Sequence, residues 1–99
     1  MKCILVIDND QKVLDEICSH LTLYKTQQAG SGRTALETAR AIKPDLILLN
    51  PFMTDMDGFS LMDQFQQYPQ LWYIPVILLT YDDSPAFQVK GLNSGVVDF

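Results

Sequence analysis

Four short apolar runs recur along the chain, and between them the apolar positions change to a helical period. CILVI (3–7), LILL (46–49) and PVILL (75–79) are continuous rather than alternating, as expected of strands covered on both faces. A weaker strand is predicted within residues 24–29, where Thr, Gln and Lys place it at a sheet edge.

The intervening segments carry helix start and stop signals. Asp10 caps a predicted helix running to about residue 22, with Val13, Leu14, Ile17, Cys18 and Leu21 on one face. Ser31 caps a second, whose Ala35, Leu36, Ala39 and Ile42 point inward and which Pro44 stops after Lys43. Asp57 precedes a third bearing Leu61, Met62 and Phe65, and Ser84-Pro85 opens a fourth that ends near Gly95. Val96 to Phe99 reads as the opening of a fifth strand. The order βαβαβαβα predicts an α/β fold, a doubly wound parallel sheet with helices on both faces.

Composition narrows the class. A chain of 99 residues with 47% hydrophobic content suits one domain, residues 1–99, and one modest core. A net charge of −5 gives no footprint for nucleic acid or anionic membranes. The absence of a signal core or an apolar run of spanning length leads us to expect a cytoplasmic protein with no membrane contact. Cys3 and Cys18 lack metal-ligand spacing and are expected as small buried thiols.

In doubly wound sheets, ligands meet the carboxyl ends of the strands. The predicted ends are IDND (7–10), LLN (48–50) and LLT (78–80), so Asp8, Asn9, Asn50 and Thr80 share one crevice. With GxxAL at 32–36, PDLILLN at 44–50, DMDG at 55–58 and IPVILLT at 74–80, the whole chain resembles the receiver domains of two-component response regulators. The resemblance implies the flavodoxin-like, CheY-like strand order 2-1-3-4-5, cut short within strand 5. It also implies an aspartate at the end of strand 3 that takes a phosphoryl group from a histidine kinase, two acids after strand 1 that hold Mg²⁺, a Thr or Ser ending strand 4, and a lysine after strand 5.

Carried over by position, the acceptor is Asn50, the acid pair is Asp8 and Asn9, the hydroxyl residue is Thr80 and the aromatic switch residue is Phe99. A carboxamide is neutral and a poorer nucleophile than a carboxylate, so Asn50 does not serve as an acyl-phosphate acceptor. Each carboxylate replaced by an amide removes roughly 8 kcal/mol of attraction for a divalent ion about 4 Å away at an effective dielectric near 20. No metal and no other cofactor is therefore expected, with Asp8 a remnant of the metal site. Tyr81 stands where the family mostly has a small residue and is expected to cover the pocket. The family lysine after strand 5 has no counterpart among residues 1–99.

Other features have plainer readings. Asp57 is expected as a helix cap, Asp55 in solvent, and His20 near the negative end of a helix dipole. GSGRTA (30–35) matches a dinucleotide fingerprint formally, but follows the second strand and lacks the acidic residue further on. Tyr68, Trp72 and Tyr73 are expected in a packed surface loop.

These readings favour a pseudo-receiver: a non-enzymatic signalling domain in a two-component-type pathway that works through protein contacts. Its partner would be an effector or output domain, with a histidine kinase and a second copy of the chain as the other candidates. The contact region would comprise Pro85 to Asn93 and Phe99. The main alternative is a working receiver in which another acid, such as Asp10 or Asp55, takes the phosphoryl group. A flavin- or nucleotide-binding domain of similar topology is the third, weakened by the acids of IDND where a phosphate cradle would stand. Without a fifth helix, apolar surface beside the first helix is expected to be exposed.

Overall fold

The computed structural model describes residues 1–79. The predicted fourth helix, the start of strand 5 and Thr80, Tyr81 and Phe99 lie outside the described residues. Within them, strands β1 (Cys3–Ile7), β2 (Lys25–Ala29), β3 (Leu46–Leu49) and β4 (Val76–Leu78) alternate with helices α1 (Gln11–Ser19), α2 (Gly32–Ile42) and α3 (Gly58–Gln66). A 3₁₀ turn at Pro69–Leu71 lies between α3 and β4.

The four strands form one parallel sheet in the order β2-β1-β3-β4. Its polar strand, β2, takes the edge, because its Thr, Gln and Lys side chains have little to gain from burial on both faces. The register pairs Ile7 with Ala29 on one side and with Leu49 on the other, and Leu49 with Leu78. The carboxyl ends of all four strands therefore finish level, a geometric requirement for any site built across them.

Pleating divides the apolar runs between two layers. Leu5, Ile7, Ile47, Leu49, Val76 and Leu78 face α2 and α3, in a core completed by Ala35, Ala39, Phe59, Leu61, Met62 and Phe65. The alanines of α2 let its backbone lie close to the sheet. Ile4 and Val6 point the other way, onto Leu14 of α1, with Ile17, Cys18, Leu21, Leu46 and Leu48 packed around them. Leu46 and Leu48 are only half-buried, beside a cleft of about 490 Å³ that Ile4, Leu21 and Tyr24 also line.

The helix ends follow local chemistry. Asp10 caps α1 by accepting from the backbone N–H of Lys12, and Asp57 caps α3 by accepting from that of Phe59. The first helix ends at Ser19, short of the expected residue 22, because His20 and Leu21 turn back to bond the carbonyls of Ile17 and Cys18. The end of α2 has a different device: Lys43 adopts a left-handed conformation (φ 49°) that caps the helix and precedes Pro44. The aromatic stretch differs from expectation. Tyr68 packs against the core beneath the guanidinium of Arg40, and the Trp72 indole N–H bonds the Gln66 carbonyl, but Tyr73 is 87% exposed. Hydrophobic character alone did not bury it, since it lies just before β4 at the amino end of the sheet.

Candidate functional site

The site grows from the level strand ends. Strands β1 and β3 are neighbours, and their continuations leave for opposite faces of the sheet, β1 into α1 and β3 toward α3. A crevice opens where such connections diverge. The backbone stitches its walls together: the N–H of Asn50 bonds the Ile7 carbonyl at 2.9 Å, that of Asp8 the Ala29 carbonyl at 3.1 Å, and that of Leu79 the Leu49 carbonyl at 2.9 Å.

Asp8 and Asn50 therefore arrive side by side. Asp8 is 8% exposed, the buried charged side chain among the described residues. Its burial is compensated by two donors: Oδ1 accepts from the backbone N–H of Asp10 at 2.9 Å, and Oδ2 from the Asn50 carboxamide at 3.2 Å. The other end of the Asn50 amide accepts from the backbone N–H of Phe52 at 2.9 Å. Asn50 thus links the end of β1 to the first turn after β3, one donor and one acceptor each assigned to its only chemically compatible partner. Asn9 is exposed at the mouth. Together with Phe52 (59% exposed), Leu79 and the α1 side chains Val13 and Ile17, these residues line a cleft of about 1090 Å³.

The loop from Pro51 to Asp57 is tied to the fold by contacts of its own. The N–H of Gly58 bonds the Pro51 carbonyl at 2.9 Å, and the backbones approach so closely that a Cβ on Gly58 would sit 2.5 Å from the Pro51 Cα. Glycine is required there by space, not by torsion. Asp55 is exposed, as expected, but it is not idle there. Its two oxygens accept from the first backbone N–H groups of α2, those of Gly32 at 2.8 Å and Arg33 at 3.1 Å. Those bonds hold its carboxyl below the usual carboxylate range, against a small opposing effect of burial. The signal was invisible locally, because donor and acceptor lie more than twenty residues apart in sequence. It also explains the GSGRTA turn: the start of α2 is met by the chain's own carboxylate, so the formal dinucleotide match has no phosphate site behind it.

His20 lies exposed at the end of α1, as expected, at the far side of the large cleft. The cysteines are free and half-buried. No helix among the described residues is long and apolar enough to cross a membrane.

A family model, the response regulator receiver domain, matches residues 4–99. The chain belongs to that family. Relatives with long sequence matches include the response regulator PleD of Caulobacter vibrioides, 37% identical over 97% of this chain but only 22% of PleD. The DNA-binding dual master transcriptional regulator RpaA of Synechocystis is 31% identical over the full chain and 42% of RpaA. This receiver thus spans less than half the length of these relatives. Among solved structures, the chemotaxis protein CheY4 of Vibrio cholerae superposes with a TM-score of 0.94 at 25% identity, covering 99% of this chain and 83% of CheY4. The parallel sheet and flavodoxin-like topology are those of the CheY fold, with four strands in the order 2-1-3-4 among the described residues.

At the strand ends, the described residues offer a divalent cation one carboxylate and one carboxamide. Asp8 is the carboxylate there among the described residues, and both of its oxygens accept hydrogen bonds. Asn50 turns its NH₂ toward Asp8 and its one side-chain oxygen toward the backbone N–H of Phe52. No cluster of three or more acidic, histidine or cysteine side chains able to hold a metal occurs among the described residues.

Proposed function

We propose that this receiver is a pseudo-receiver: a two-component-type signalling domain that works through protein contacts, without phosphorylation at the position after β3 and without a bound metal. The observation that carries the reading is the hydrogen bond from the Asn50 carboxamide to Asp8. It supplies, from within the chain, the neutral bridge between the ends of β1 and β3 that crowded carboxylates would need a cation to make. Strand ends bridged in this way need no ligand to offset repulsion between carboxylates.

No catalysis of its own is assigned to this domain, and its proposed setting is cytoplasmic. Its proposed partner is a protein, an effector or an output domain, with a histidine kinase or a second copy of the chain as the remaining candidates. Nucleic acid and membrane contacts are not part of the proposal, in keeping with the net charge of −5. The competing reading, transfer to Asp10 or Asp55, meets carboxylates already engaged: an Asp10 oxygen caps α1, and both Asp55 oxygens bond α2.

The test is incubation of the intact chain with acetyl phosphate and a divalent cation, followed by intact mass spectrometry. We expect no phosphoryl adduct on the wild type and an adduct on a variant carrying both Asn9→Asp and Asn50→Asp. A stoichiometric, hydroxylamine-labile adduct on the wild type would overturn the proposal.

A further inference from the structure

We infer that Asp55 is a positioning residue for the Asn50 pocket, a latch through which the first turn of α2 fixes the loop that follows β3. Four observations meet at this point. Both Asp55 oxygens are bonded to the N–H groups of Gly32 and Arg33. The side chain of Met56, the next residue, lies over Gly32 so closely that a Cβ there would be 2.4 Å from its Cγ. The loop's own ends are tied by the Gly58 N–H and the Pro51 carbonyl. At its start, the Phe52 N–H bonds the Asn50 oxygen, whose amide nitrogen reaches Asp8.

The two ends of the loop are therefore anchored locally, while its middle is tied to α2, a helix from another part of the chain, through Asp55, with Met56 Sδ also accepting from the Gln64 side chain of α3. A helix start leaves its first N–H groups without partners. At α2, Ser31 Oγ serves only that of Thr34, so the helix and the loop complete each other through Asp55. A carboxylate is matched to this place twice, by two acceptor oxygens for two adjacent donors and by its charge at the positive end of the helix dipole. The consequence is reciprocal coupling. A partner that shifts the Phe52 side of the loop strains the α2 start, and one that moves α2 is felt at Asn50. This inference concerns the anchoring of the loop and stands whether or not residue 50 is ever phosphorylated.

Amide hydrogen exchange on the full chain, read by NMR, tests it with three variants. In Asp55→Ala, exchange at Gly32 and Arg33 should accelerate at least tenfold, and the acceleration should carry to Phe52 and Gly58 by about fivefold. Asp55→Asn, which keeps one acceptor oxygen and loses the charge, should fall between the two. Ser31→Ala removes the other cap of the same helix without touching the loop, and should accelerate Thr34 alone. The amides of Leu5 and Ile47, in the centre of the sheet, report that each variant remains folded. Should Phe52 and Gly58 stay within twofold of wild type while Gly32 and Arg33 accelerate, Asp55 is only a local cap and the inference is wrong. Equal responses of Phe52 and Gly58 to Ser31→Ala and Asp55→Ala would overturn it too, since any fraying of α2 would then suffice.

Discussion

Replacing Asn50 by Asp restores the carboxylate that receivers carry after strand 3, and its cost can be worked from the geometry. The variant loses the amide donor 3.2 Å from Asp8 Oδ2, a bond to a charged, buried group worth about 1.5–3 kcal/mol. In its place stand two carboxylates whose charge centres are about 4 Å apart, repelling by roughly 4 kcal/mol at an effective dielectric of 20. Rotation of the new side chain relieves part of both effects, so we expect a net loss of about 3 kcal/mol at pH 7 with divalent ions chelated. Urea unfolding followed by Trp72 fluorescence measures it. Repulsion raises the pKa of the pair in the folded state above its unfolded value. The penalty should thus be absent well below pH 4 and grow as pH rises through the raised value. Added Mg²⁺ should recover stability in the variant in proportion to RT ln(1 + [L]/Kd) and leave the wild type unchanged. A variant within about 0.5 kcal/mol of wild type at pH 7 in chelator would refute the view that the amide bridge stabilises the paired ends of β1 and β3.

Three further outcomes follow from other parts of the structure. Asp55→Ala should cost about 1 kcal/mol at neutral pH, as for loss of a helix cap; because the folded pKa of Asp55 is depressed, that difference from wild type should persist above its ordinary value of 3.8 and vanish as pH falls through the lower folded value, in paired denaturation curves. Gly58→Ala places a methyl 2.5 Å from the Pro51 Cα and should lower stability by about 1–3 kcal/mol, with displaced NMR resonances confined first to residues 50–59. Lys43→Gly should raise the melting temperature, gaining up to about 1 kcal/mol by relieving a left-handed backbone at the end of α2.

Much of this receiver was legible in its one-dimensional pattern. The continuous runs at 3–7 and 46–49 became central strands with the expected bounds, and the polar run containing Lys25 to Ala29 became the edge, because a strand's position in a parallel sheet is set by how much of it can leave water. Asp10, Ser31 and Asp57 were readable as caps since a cap bonds a backbone group only two or three residues away. The nearness of Asp8 and Asn50 was also predictable, once β1 and β3 were adjacent strands with level ends.

What pattern could not supply was the use to which polar atoms are put across the fold. Sequence alone placed Asn50 in the crevice, but only the folded chain aims its nitrogen at Asp8 and its oxygen at Phe52. Asp55 is exposed as read, but its bonds were not legible, because its partners, Gly32 and Arg33, are remote in sequence and offer only backbone atoms, which leave no mark on composition. Tyr73 looked like a packed aromatic, yet its place before β4 leaves it facing outward. Local propensity and periodicity are determined by neighbours along the chain, so the sequence by itself determined the elements, their order and the residues at the strand ends. Hydrogen bonds between distant segments depend on where those elements dock, and that only the tertiary structure decided.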